Sequence, residues 1–249
     1  MKKRLFQKSS MQQIKESSTL GNKAIDAKYA YINGYYEAGN HLVKTAINMT
    51  NAIDKDSLIY PICFNYRHYL ELHLKSLIEE AEVLYEKMEQ LGYLQNGTLP
   101  EKVSDSLDNT HSLYELLSSL KNILFFIAIS DEKFPNDIEK YIQQMHDTDK
   151  NGQKYRYHKN KSGKLHFPDE ESYDIENMSK IMKEVNSMLW AIDSHIFHYI
   201  EMSNDIINDY EREMEINTIK EHLTKPRSQP LAKQRNKKWQ MKLIVINYI

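Results

Sequence analysis

The sequence predicts an all-α fold, a helical bundle with long antiparallel helices and one long polar loop. Two observations favour this fold class. The 249 residues include only 7 glycines and 6 prolines, so long segments lack the residues that interrupt helices. Within those segments apolar residues recur three and four positions apart, the period of a helix that packs one face on a core. With 249 residues, 41% of them hydrophobic, the chain is long and apolar enough to form the core of one large domain with appendages.

Three regions are expected along the chain. Residues 1–20 are polar and basic and predict a flexible arm, residues 21–224 form the helical domain, and residues 225–249 form a basic tail that ends in a strand-like apolar segment. The chain has a net charge of −2 and the tail contributes +7, which leaves −9 on the other 224 residues. Any contact with nucleic acid is therefore expected to be local or made by the tail, because a coating protein needs a basic folded surface.

The cysteine count and the hydropathy pattern indicate a compartment. Cys63 is the single cysteine, so no disulfide can form within the chain, and a reducing environment is the better expectation. No run approaches the ~18 apolar residues that a membrane span needs, and the basic first residues are followed by polar sequence. We therefore expect a cytoplasmic protein with no membrane contact.

A core helix is expected from Tyr60 to Leu91, with Pro61 still in its first turn. Around Leu70, the centre of its apolar face, Arg67 lies roughly 60° to one side and His73 roughly 60° to the other. A permanent charge and a titratable ring beside a buried stripe cost free energy unless they have partners or a function. In the plain structural alternative, Arg67 pairs with Glu71 one turn on and His73 is a hydrogen-bonded core residue.

The other elements follow from the same periodicity and from capping residues. Helices are expected over residues 22–48, 112–129 and 137–146, and one or two over 172–224, with loops over 92–109 and 147–171. Residues 50–57 predict a turn, with Ser57 capping the long helix and Thr110 capping the helix after the first loop. A break is expected near Ser203-Asn204-Asp205, because a continuous helix there would span roughly 70 to 80 Å. The second loop is long enough to favour a functional role.

Recognised cofactor and metal motifs are absent from the sequence. There is no phosphate-cradling glycine loop, no Cys-x-x-Cys and no His-Glu-x-x-His. The segment from Asp147 to Gly152 matches half of a calcium loop, but its twelfth position is His158 instead of glutamate. His195 and His198 are spaced three apart without a visible third ligand. We predict no metal site and no cofactor, and calcium binding by the Asp147–Gly152 loop stays an open alternative.

The segment Arg67-His68-Tyr69-Leu70-Glu71-Leu72-His73 resembles the Arg-x(4–6)-His signature of the HEPN superfamily. The segment Tyr35 to Leu42 is similar to a first HEPN helix. Together with His111-Ser-Leu-Tyr-Glu-Leu116 and with Tyr155-Arg156-Tyr157 before Gly163, the pattern looks like a group of uncharacterised bacterial HEPN-like proteins. The resemblance covers roughly residues 22–200 and implies a HEPN-like helical bundle.

The resemblance also implies a function. Many HEPN domains are metal-independent endoribonucleases of toxin-antitoxin and phage-defence systems, in which Arg and His sites of two protomers meet in a homodimer. On that pattern Arg67 and His73 would be catalytic, Glu71 would orient Arg67, and an antitoxin or defence protein would be a partner. The expected RNA contacts are His68, His111, Arg156 and Tyr157. The alternative is a non-catalytic HEPN-like module that binds a protein partner or nucleotide, with Arg67 and Glu71 as a structural ion pair.

Overall fold

The computed structural model describes residues 18–20, 26–94, 97, 102–127 and 136–224. This part of the chain is mostly helical and contains no β-strand, which confirms the all-α prediction. The helices are α1 (Ala27–Ile47), α2 (Ala52–Ser57), α3 (Ile59–Leu91), a short 3₁₀ helix (Ser104–Asn109), α4 (Leu113–Ile127), α5 (Asn136–Thr148) and α6 (Ile175–Thr224). Apart from residues 18–20, the predicted arm and the predicted tail lie outside the described residues. None of the described helices combines the length and apolarity that a membrane crossing requires.

Helix α3 lies at the centre of the bundle and packs against α1, α4 and α6. The periodicity placed its apolar face correctly, since Tyr66, Leu70 and Leu74 are fully buried. Helix α1 runs antiparallel to α3, because Tyr36 contacts Tyr69 while Lys28, near the start of α1, pairs with Glu79, which lies further along α3. Burying these apolar faces against each other is the main driving force for the fold.

Helix α6 runs parallel to α3. The sequence had predicted only antiparallel long helices. Near the start of both helices Cys63 contacts Met178, and further along both helices His73 contacts Trp190. The connection through α4, α5 and the following loop returns the chain to the beginning of α3. The same loop brings polar residues against that end of the helix.

Three predictions at helix starts need correction. Residues 52–57 form the short helix α2 instead of a turn. Ser57 lies in the last turn of α2, where its hydroxyl donates to the Asp54 carbonyl, so it does not cap α3. At α4 the hydroxyl oxygen of Ser112 accepts a hydrogen bond from the Glu115 amide at 3.2 Å, as an N-cap does. Thr110, the expected cap, accepts a longer bond of 3.4 Å from the Ser112 amide.

The prediction of a helix break near residue 204 is wrong. Helix α6 continues for 50 residues, a length of roughly 75 Å. Ser203 is buried within the helix while Asp205 is exposed, so the polar run fits the amphipathic pattern without interrupting it. Because no Gly or Pro lies between 172 and 224, nothing in the backbone forces an end to the helix.

Candidate functional site

Arg67 is buried, with 2% of its surface exposed. Each of the three nitrogens of its guanidinium donates a hydrogen bond inside the protein. Nε donates to the Asp149 carbonyl at 2.9 Å, one terminal nitrogen to a Glu71 carboxylate oxygen at 2.9 Å, and the other to the His111 carbonyl at 2.5 Å. Arg67 therefore joins α3 to the segment that precedes α4 and to the residue that follows α5, with its donors directed at protein acceptors.

Glu71 is the second centre of the cluster. One oxygen accepts from Arg67, and the other lies 2.8 Å from Nδ1 of His111 and 3.2 Å from the Lys75 ammonium. Burial raises the pKa of this carboxyl, but the hydrogen bonds from His111 and Arg67 and the charge of Lys75 outweigh it, so the pKa lies below its ordinary value. Glu71 is thus an ionised carboxylate that can only accept hydrogen bonds.

The ionised state of Glu71 decides the tautomer of His111. Because a carboxylate has no proton to give, Nδ1 of His111 must be the donor, and in the neutral ring Nε2 then carries the free lone pair. The His111 side chain is 54% exposed, in contrast to Glu71 at 6%. A fixed carboxylate thus orients an accessible imidazole, an arrangement suited to proton transfer.

Asp149 and Gly152 complete the cluster from the loop that follows α5. The Asp149 carboxylate is 1% exposed, lies 3.7 Å from Nε of Arg67, and accepts the Gln153 amide at 2.9 Å. Gly152 has a φ of +72°, and a Cβ there would lie 2.8 Å from a terminal nitrogen of Arg67. Only glycine fits this position, both for its left-handed backbone and for the contact with the guanidinium.

His73, the expected catalytic partner of Arg67, lies on another side of α3 and is fully buried. Its ring packs 4.6 Å from that of Trp190 on α6, and its Nδ1 is 3.2 Å from the Tyr69 hydroxyl. Burial lowers the pKa of His73 from its ordinary value of 6.5 to about 4. The structure brings Arg67 and Glu71 together but places His73 in the core, as in the structural alternative above.

The burial of His73 predicts a specific loss of stability in acid. The folded state holds the ring neutral, whereas the unfolded state takes up a proton below pH 6.5, so the contribution of His73 is present above pH 6.5 and is lost as the pH falls towards 4. Between pH 7 and pH 4.5 this loss should be about 2–3 kcal/mol. We expect His73→Leu to remove this loss, which urea unfolding of both proteins at the two pH values would measure. Equal pH dependence in the two proteins would contradict the assignment.

Of the expected RNA contacts, His111 belongs to the cluster and Arg156 donates to the Gly152 carbonyl at 2.7 Å. His68 is half-buried and stacks on Phe64 at 5.6 Å. Burial lowers its pKa, and charge interactions with Glu71, Arg67, Arg156 and Lys75 also act on it, so it lies within electrostatic range of the cluster. Arg156 and Tyr157 are exposed, with the guanidinium 5.4 Å from the ring centre of Tyr157.

Three members of the site were not found by sequence reasoning: Lys75, Asp149 and Gly152. Lys75 had a local signal, since it follows Glu71 by one helical turn. Asp149 and Gly152 were assigned to the calcium-like loop, although that loop is built differently. The Asp147 carboxylate accepts a hydrogen bond from Gln143, and Asp149 faces Arg67. Over the described ranges, no group of three or more His, Cys, Asp or Glu side chains is placed to hold a metal ion.

Comparisons with known proteins identify no relative of this chain. No family model matches it, and neither the curated proteins nor the solved structures include a significant match.

Proposed function

We propose that the chain is a metal-independent endoribonuclease in which His111, held by Glu71, moves the proton. The observation that carries the proposal is the 2.8 Å contact between Glu71 and a half-exposed imidazole. The HEPN resemblance implied that His73 transfers the proton. The proposal assigns this role to His111 instead. A bacterial toxin-antitoxin or phage-defence setting, with an antitoxin or defence protein as partner, rests on the HEPN resemblance.

The chemistry follows from the tautomer. Nε2 of His111 takes the proton of the RNA 2′-hydroxyl, the 2′-oxygen attacks the adjacent phosphorus, and the 5′-oxygen leaves with a proton from a second acid. The developing negative charge needs cations nearby. Lys75, with 17% of its side chain exposed, and the exposed Arg156 are the candidates, because the nitrogens of Arg67 already donate to protein acceptors.

The expected homodimer would supply the second acid. A two-fold symmetric assembly repeats every residue of an interface, so a second copy of His111 could protonate the leaving oxygen. This part of the proposal is independent of the first proton transfer and is tested by the mass of the protein in solution. A strictly monomeric, active protein would contradict the two-histidine scheme.

The direct test uses the purified full-length protein with tRNA and total RNA in excess EDTA. Attack by the 2′-oxygen predicts fragments that end in a 2′,3′-cyclic phosphate, which mass spectrometry of the products would identify. RNA that stays intact, or products that carry only other ends, would contradict the proposal.

A second candidate is the non-catalytic module that binds a protein partner or nucleotide. The observation that favours it is that Arg67 and His73 are both buried within one chain, as structural residues would be. It would be preferred if the protein bound RNA or nucleotide without cleaving RNA under any of these conditions.

A further inference from the structure

The loop between α5 and α6 carries a concentrated positive charge. Residues 150–168 contain six Lys or Arg and no Asp or Glu, whereas the whole chain has a net charge of −2. The rest of the chain therefore carries −8. A local basic segment on an acidic protein is the pattern expected for a confined site for a polyanion.

The tip of this loop is an ordered turn, which we call the basic hairpin, residues 158–166. The His166 amide donates to the His158 carbonyl at 3.1 Å, and the Asn160 amide donates to the Lys164 carbonyl at 2.9 Å. The Asn160 side chain accepts bonds from the Ser162 and Lys164 amides, both at 3.0 Å. These bonds fix the backbone, so the lysines of the hairpin are held in one region without a ligand.

The lysines of the basic hairpin face solvent. Lys159, Lys161 and Lys164 are all exposed, and none of them forms an ion pair with any residue that the structure describes. An exposed lysine without an ion-pair partner stays hydrated, so its charge costs the folded protein little free energy. Three such lysines on one short turn are well suited to neutralising successive phosphates.

Aromatic residues anchor the base of the basic hairpin to the bundle. Tyr155 stacks on Phe167 with ring centres 5.6 Å apart, and Phe167 in turn lies 6.0 Å from Tyr60 on α3. Further back, the Asp149 carbonyl accepts from Arg67. The loop that carries the hairpin therefore contacts α3 both at Tyr60 and at Arg67, and Arg67 also bonds Glu71 and the His111 carbonyl.

An exposed aromatic residue precedes the lysines along the chain, and the Arg156 guanidinium lies 5.4 Å from its ring centre. Tyr157 is 54% exposed and immediately precedes the basic hairpin. A cationic track with an accessible aromatic ring is the arrangement on which single-stranded nucleic acids bind, because phosphates meet the cations and a base stacks on the ring. A membrane is less suited, since Leu165 is the only aliphatic residue in the hairpin and surface binding to lipid needs an apolar face.

We propose that the basic hairpin and Tyr157 bind the backbone and one base of single-stranded RNA and guide it towards His111. This inference rests on the proposed function for the substrate, but binding can be measured without cleavage. A fluorescent single-stranded RNA with 2′-O-methyl groups lacks the attacking hydroxyl, so its affinity for the full-length protein reports on binding without cleavage, and the hairpin variants show how much of that affinity the hairpin supplies.

The test compares two triple variants by fluorescence anisotropy. Lys159→Gln with Lys161→Gln and Lys164→Gln should weaken binding by about tenfold or more. The slope of log K against log salt should become shallower by about 2, because three phosphate contacts on a single strand count about 0.7 each. Tyr157→Ala should weaken binding by roughly fivefold or more. The matched control replaces Lys44, Lys140 and Lys183, exposed lysines of other helices, by Gln and should stay close to the wild type.

Three outcomes would overturn the inference. They are wild-type affinity in the hairpin triple variant, an equal loss in the control triple variant, and competition by poly-glutamate as strong as that by unlabelled RNA, which would indicate an acidic protein partner. Hairpin-dependent binding without any RNA cleavage would support the inference while refuting the proposed nuclease.

Discussion

Arg67→Met is expected to lower the free energy of unfolding by about 3–5 kcal/mol, as removal of one partner from a buried ion pair does. The variant leaves the Glu71 and Asp149 carboxylates buried without the guanidinium that both of them face. It also removes the hydrogen bonds to the His111 and Asp149 carbonyls, which join three parts of the bundle. Urea unfolding at pH 7 with circular dichroism would measure the change.

The matched control is Arg212→Met on the outer part of α6. Arg212 forms an ion pair with Asp209 at 3.2 Å, but both side chains are well exposed, and exposed pairs contribute roughly 0–1 kcal/mol. The same chemical change should therefore have little effect there. Similar losses in the two variants would show that Arg67 does not hold the cluster together.

His111→Asn is expected to reduce the rate of RNA cleavage by about 10²–10⁴-fold, the range for loss of a general acid or base. Asparagine retains a polar group near Glu71 but cannot carry the proton. Since the imidazole is half exposed, the loss of stability should be small compared with that of Arg67→Met. Single-turnover cleavage in EDTA would give the rate.

Two further variants make this comparison decisive. His41→Asn makes the same change at an exposed histidine of α1 and should cleave at the wild-type rate. His73→Leu should also retain cleavage, because the His73 ring is enclosed by Tyr69 and Trp190. A folded His73→Leu variant without activity, beside an active His111→Asn variant, would restore the role that the HEPN resemblance gave to His73.

The helical core could be predicted because its signal is local. Apolar residues at helical spacing around Leu70 and around Leu120 gave the buried faces of α3 and α4, and the scarcity of Gly and Pro gave the fold class. The continuity of α6 was not predicted, since a polar triplet looks the same in sequence whether it ends a helix or lies on one face. The direction of α6 depends on the whole connection and has no local signal.

The site could be predicted only in part, because it joins distant segments. The spacing of Arg67 and Glu71 by one helical turn was visible, and their pairing was the stated alternative. That His111 would meet Glu71 depends on how α4 packs on α3, a contact between residues 40 positions apart. The burial of His73 depends on Trp190, which is 117 positions away and reaches it only because α6 runs parallel to α3.

On the proposed function, His111 and not His73 is the histidine that contacts RNA. The most direct measurement is NMR of the histidine ring signals, assigned by substitution, with and without the 2′-O-methyl RNA. We predict that the His111 ring signals shift on binding while those of His73 stay unchanged and do not titrate above pH 5. A shift at His73 with no change at His111 would contradict the account.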